Sequence, residues 1–228
     1  MSEKNNRKIL TEAMLRALCL PRGACVPVPP GTALTPLARE YIAAHGLAIT
    51  ECPSANAEGM EKPEHMTHLN ASALVPKTHP RIHLRGKLDS LEALLLQMQA
   101  LALERGRGET AGALGEVHDL AQRVLAAEVK GEPLGPFTLL GLDSAALRAA
   151  SHDPMGCAGL DAHPAPHVGM ERLCLALNFL RTQVRETELA AAQAFCLPDG
   201  TVERPDLLEA LNRMSSAVYL VFMREIRP

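Results

Sequence analysis

Leu84-Arg-Gly-Lys-Leu-Asp-Ser-Leu-Glu-Ala-Leu-Leu-Leu-Gln-Met-Gln-Ala-Leu-Ala-Leu-Glu104 is the stretch that decides the fold. Leu88, Leu91, Leu94, Leu95, Met98, Leu101 and Leu103 recur in it at helical spacing with sparse charge, so the segment is apolar nearly all round. A helix of that kind belongs inside a bundle. After the turn Arg105 to Gly108, Leu114, Val117, Leu120, Ala121, Val124 and Leu125 repeat the period as far as the break Gly131-Glu132-Pro133. Asp143 caps a short helix ending near Ser151, and two longer helices follow, about Glu171 to Phe195 and Pro205 to Ile226. In the last of these Leu208, Leu211, Ser215, Val218 and Phe222 stay in register. The expectation is a mainly α protein of about five helices, without internal repeats.

Upstream, residues 1–51 form a small α/β appendage. An apolar patch Ala24 to Val28 precedes the turn Pro29-Pro30-Gly31, and a helix capped by Thr35 with Pro36 in its first turn ends at Gly46. Residues 52–66, rich in Pro, Ser, Asn, Glu, Gly and Lys, read as a linker, leaving 67–228 for the helical domain.

Composition excludes several classes. The 228 residues carry 23 Lys plus Arg against 26 Asp plus Glu and only 3% aromatics, which gives neither the charge nor the stacking surface for nucleic acid. No apolar run nears the roughly 20 residues that cross a bilayer, and the polar start Met1 to Lys8 is no secretory signal, so a cytoplasmic protein is expected. The six cysteines form no Cys-x-x-Cys pair; Cys52 with His65 and His68 is the nearest approach to a ligand set, and loop residues without a metal are the simpler reading.

Chemistry concentrates elsewhere. Arg181, Arg185 and Glu188 stand at i, i+4 and i+7 on one face of an otherwise apolar helix. Spacing alone fits a solvated salt-bridge face better than a ligand site. Lys77-Thr78-His79-Pro80-Arg81 precedes the first bundle helix, where basic side chains and free amides suit a phosphate, or merely flank a helix. Asp89 interrupts the apolar helix and calls for an Arg partner, with Arg181 as the candidate. Asn212-Arg213 interrupts the last helix, and Asn offers a donor and an acceptor to a base or ribose. Neither a Walker loop nor a dinucleotide fingerprint is present. Ser151-His152-Asp153 reads as a helix-ending turn because adjacent residues point apart; His163 and His167 read as polar loop residues.

Five stretches nevertheless resemble one known family: Leu74-Val-Pro-Lys-Thr-His-Pro-Arg-Ile82, Arg85-Gly-Lys-Leu-Asp-Ser90, Ala127-Glu-Val-Lys-Gly-Glu-Pro-Leu134, Leu180-Arg-Thr-Gln-Val-Arg-Glu-Thr-Glu188 and Ala210-Leu-Asn-Arg-Met-Ser-Ser-Ala-Val-Tyr219. In order and spacing they are similar to the ethanolamine-utilization cobalamin adenosyltransferases (EutT), and Leu34-Thr-Pro-Leu-Ala-Arg-Glu40 extends the likeness to the N-terminal unit. That family is similar in turn to the PduO-type enzymes. The resemblance implies a five-helix bundle and transfer of the 5′-deoxyadenosyl group of ATP to the cobalt of a reduced corrinoid. It also implies Mg²⁺ on the triphosphate, and a homo-oligomer, trimer or dimer, with ATP between subunits. A flavin-dependent reductase, ethanolamine ammonia-lyase and a bacterial microcompartment are the implied surroundings.

Residue by residue, the resemblance makes Lys77, Thr78, His79, Arg81, Arg185, Glu188 and Asn212 ATP contacts, with Arg185 and Lys77 catalytic. It pairs Asp89 with Arg181 in a structural salt bridge. The loop His152 to Met170 is the place to look for the apolar side chains under the corrinoid. The Thr-x-x-Gly-Asp-x-Gly loop of the PduO group is absent, with Lys77, Thr78, His79 and Arg81 in its place, and the Cys-Cys-x-x-Cys cluster of well-known EutT members is missing, so no metal ligands are assigned. A helical carrier that hands over adenosylcobalamin without making it is the alternative of another class.

Overall fold

The computed structural model describes residues 9–18, 20, 22–23, 25–51, 63–70 and 73–226, and these divide into two compact units after His79. Most of the linker expected over 52–66, and with it Cys52, lies outside the described residues.

The first unit holds short strands and two helices. Strand β1 (Ile9–Leu10) leads into helix α1 (Glu12–Ala17), followed by β2 (Cys25–Val28), β3 (Ala33–Leu34), α2 (Pro36–His45) and β4 (Ala48–Glu51). Strand β1 pairs parallel with β3, and β2 pairs parallel with β4. Leu15, Val26, Val28, Ala38, Tyr41 and Leu47 are buried together as its core. Helix α2 is bounded as its sequence dictates: the Thr35 hydroxyl accepts from the Ala38 amide at 3.2 Å, Pro36 opens the first turn, and Gly46 ends it at φ 61°. Strands β5 (Met66–Asn70) and β6 (Ala73–Pro76) make an antiparallel hairpin just ahead of the division.

The second unit is helical. Its long helices are α3 (Pro80–Glu104), α4 (Gly108–Lys130), α7 (Arg172–Phe195) and α8 (Pro205–Glu225), with the shorter α5 (Ser144–Ser151) and α6 (Pro154–Ala158) between α4 and α7. Helix α3 packs on α4 and α7, α8 packs on α7 and α4, and α5 and α6 lie on α8. The four long helices thus close a ring around one core, with Leu84, Leu91, Leu114, Val124, Leu177, Leu211 and Phe222 among the residues lost to solvent. Neighbours α3 and α7 run antiparallel, since Lys87 reaches Glu186 at 2.7 Å while Arg105 approaches Glu171 at 3.6 Å.

The all-round apolar pattern overstated the burial of α3. Leu96 is 54% and Leu103 63% exposed, and on α7 Leu189 is 64% exposed. A helix in a ring of four meets neighbours on two sides only, so its outer face stays open whatever its composition.

Helix α4 stops at Gly131, which at φ 71° lets its amide reach the Ala127 and Glu128 carbonyls. A Cβ there would meet nothing within 4 Å, so Gly131→Ala isolates the backbone cost. A loss of about 1 kcal/mol in chemical denaturation is expected; unchanged stability would mean the cap relaxes.

Candidate active site

Helix α7 presents its charged face to α8. Glu188 Oε1 accepts from Asn212 Nδ2 at 2.8 Å, and the Arg181 guanidinium stands over the Tyr219 ring with Cζ 5.5 Å from its centroid. These two contacts lie on an antiparallel seam, and Arg185 falls between them, exposed and unpaired among the described residues. The i, i+4, i+7 spacing is therefore a seam-lining face: its two ends are half-buried against α8, and its middle cation opens to solvent.

Arg181 does not pair with Asp89, which corrects the expected salt bridge. Asp89 is exposed on α3, whereas Arg181 turns to α8, hydrogen-bonding Asn178 Oδ1 at 3.4 Å and facing Tyr219. Helices α3 and α8 flank α7 on different sides, and on the α3 side it is Glu186 that meets a charge, that of Lys87.

The Tyr219 hydroxyl lies 2.8 Å from His163 Nδ1, with the two rings stacked at 5.8 Å. Burial raises the Tyr219 pKa, and the opposing pull of Arg181 is smaller, so the phenol stays neutral beside His163. His163 thereby fastens the loop after α6 to the helix that also carries Asn212.

The basic segment is divided. Lys77 and Thr78 are exposed at the end of the first unit, Lys77 with Glu64 at 3.9 Å, and the buried His79 spends Nε2 on the Leu18 carbonyl. Arg81 belongs to the second unit, where it and Arg85 both clasp Glu128, each Nε at 2.5 Å from a carboxylate oxygen that is wholly buried. Arg81 also donates to the Glu128 carbonyl at 2.9 Å and lies over Phe195. Arg81, expected as a phosphate ligand, is in this structure a member of an internal triad, because a buried carboxylate demands its charge.

Glu128 was missed as a candidate, although it continues the buried series Val117, Ala121 and Val124 by one helical step. An acid at a core position of a periodic helix is the signal that could have found it. Ser151 is buried, donating to the Arg148 carbonyl at 3.0 Å, and His152 caps α5, so the Ser-His-Asp sequence is the helix-ending turn it was expected to be. Among the described residues no helix is long and apolar enough to cross a membrane.

The chain is similar to known proteins over nearly its whole length. The cobalamin adenosyltransferase family matches residues 60–225. The corrinoid adenosyltransferase EutT of Escherichia coli (strain K12) is 32% identical over 253 aligned positions, covering 96% of this chain and 93% of that protein. EutT of Salmonella typhimurium (strain LT2) is 31% identical over 250, covering 95% and 92%. No solved structure matches. With the family's match spanning the hairpin, all four long helices and the α7–α8 seam, the chain belongs to the cobalamin adenosyltransferase family and is, with it, a transferase.

Proposed function

We propose that this enzyme transfers the 5′-deoxyadenosyl group of ATP to a reduced corrinoid, in keeping with the name corrinoid adenosyltransferase that its EutT relatives carry, and that it serves ethanolamine ammonia-lyase, as the resemblance implies. The observation that carries the site is the α7–α8 seam, with an uncommitted cation, Arg185, between two polar contacts. In the reaction the Co(I) lone pair attacks the 5′ carbon, a cobalt–carbon bond forms, and the carbon–oxygen bond breaks with its electrons leaving on the triphosphate. The corrinoid supplies the nucleophile, so the protein's work is placement and charge.

Charge divides the roles. Arg185 suits the phosphate end, where negative charge grows as the bond breaks. The Glu188 carboxylate would repel phosphate and suits the hydroxyl groups of the ribose, which donate to it. Lys77 and Thr78 keep the phosphate role that the resemblance implies, supported by their exposure, with Lys77 the second catalytic cation. Among the described residues no group of three or more His, Cys, Asp or Glu stands together. The Mg²⁺ ion that the resemblance implies would be carried by the triphosphate, taking most of its ligands from phosphate and water.

The corrinoid is expected at the loop His152 to Met170, where Met155 is 54% and Val168 96% exposed, apolar groups of the kind that can lie against a macrocycle. Leu96 and Leu103 on α3 and Phe179 and Leu189 on α7 are exposed apolar groups of the kind that a homo-oligomer covers. We place the enzyme in the cytoplasm or a bacterial microcompartment.

Anaerobic incubation with ATP, Mg²⁺ and chemically reduced corrinoid should convert the Co(I) spectrum to that of the adenosylated, light-sensitive product. Binding without conversion would make the protein a carrier and overturn the reading.

A further inference from the structure

Arg213 is a charged side chain left only 7% exposed on α8. Among the described residues it forms no ion pair, and its Nε has no hydrogen-bond partner. Its two other nitrogens are engaged by neutral acceptors: Nη2 donates to Asn212 Oδ1 at 2.5 Å, and Nη1 to the Ser144 carbonyl at the start of α5 at 3.5 Å. A buried guanidinium without a counter-ion is costly, and stability is a poor reason to keep one. Departures of this kind are expected where function sets the residue.

Its effect on Asn212 is definite. Arginine only donates, so the Asn212 carbonyl oxygen must face Arg213; Glu188 as a carboxylate only accepts, so the Asn212 amide nitrogen must face Glu188. The amide can take one orientation. Each end of the amide is held by one hydrogen bond, and Glu188 is held by Oε1 with Oε2 free of any hydrogen bond among the described residues. We infer that Arg213 is a positioning residue that acts through the Asn212 amide to hold Glu188 ready for the nucleotide, and that Asn212 is the relay in that chain. The inference rests on the reading of Glu188 as an ATP contact given above.

The geometry also links the seam to α5. Ser144 begins α5, and its hydroxyl hydrogen-bonds Glu209 of α8, so the Arg213 fork is anchored to the α5–α8 packing while its other tine reaches the seam. The aim of Glu188 is thus set from behind α8, by a side chain ATP need not touch.

Three variants test this: Arg213→Met, which keeps volume and removes charge; Arg213→Lys, which keeps one donor; and Glu188→Gln. For Arg213→Met the KM for ATP should rise about tenfold with kcat nearly unchanged, the worth of one charge-assisted hydrogen bond. Its melting temperature should not fall, because an uncompensated buried charge has gone. Arg213→Lys should recover part of the KM. The double variant Arg213→Met/Glu188→Gln should match Glu188→Gln alone, since both cut one chain.

A fall in melting temperature with kcat lost and KM unmoved would make Arg213 merely structural, and multiplying effects in the double variant would also overturn the relay. The nucleotide-free protein offers a second reading: the Asn212 side-chain amide signals in ¹⁵N spectra should shift in Arg213→Met and in Glu188→Gln, and constancy in Arg213→Met would sink the proposal. Should those signals shift while Glu188→Gln binds ATP normally, the relay stands and the assignment of Glu188 to ATP fails.

Discussion

Arg185→Ala is expected to lower kcat/KM for ATP by about two orders of magnitude, the scale for removing one preorganised charge from a developing anion. The size follows from what Arg185 lacks. Arg181 is occupied with Tyr219 and Asn178, and Arg81 with Glu128, but Arg185 stands exposed without a partner among the described residues, so no internal contact depends on it. The substitution should leave the melting temperature in place, and steady-state kinetics under anaerobic conditions would read the loss. Activity equal to the parent would remove Arg185 from the site and return the α7 face to a solvated salt-bridge pattern.

Glu128→Ala should have the largest effect on stability, about 3–5 kcal/mol, the range for stranding a buried charge by deleting its partner. The carboxylate is 0% exposed and receives two guanidinium groups, from Arg81 and Arg85, which are themselves only 12% and 16% exposed. Truncation leaves both cations crowded at the end of α4 with no acid between them. In a domain of this size the melting temperature should fall by about 10 °C, measurable by circular dichroism. Removing Lys87 from its exposed pair with Glu186 should change little, because solvent screens that contact. A Glu128→Ala protein as stable as the parent would show that the triad relaxes or hydrates.

Some of this was legible in the chain. Helix ends were fixed by neighbours in sequence: Thr35 and Asp143 cap because a hydroxyl or carboxylate at that position meets an amide three residues on, and Gly46 and Gly131 end helices because they enter the left-handed region without strain. The helices from Pro80, Gly108, Arg172 and Pro205 were legible for the same reason, their apolar period being a local property. Burial of α3 was read too strongly from that period, since composition cannot say how many neighbours a helix will have.

Partners of charges were the part that could not be read. Asp89 and Arg181 were matched because each looked incomplete, yet one faces solvent and the other lies on Tyr219. The same ambiguity hid Glu128 as the owner of Arg81, and His163 as the partner of Tyr219, contacts that span 47 and 56 residues. Sequence spacing specifies which side of a helix a charge is on but not which helix will lie there.

By itself, then, the sequence determined that this protein is mainly helical, where its long helices run to within a turn (α3 begins at Pro80, ahead of the expected Leu84), and that Arg181, Arg185 and Glu188 share a face, because each of these depends on residues within a turn or two of one another. Tertiary structure alone decided that the face meets α8, that Arg185 is its uncommitted cation, and that a buried Arg213 orients Asn212 toward Glu188. A buried charge takes its partner from whichever helix packs against it, and that packing is set by the whole core.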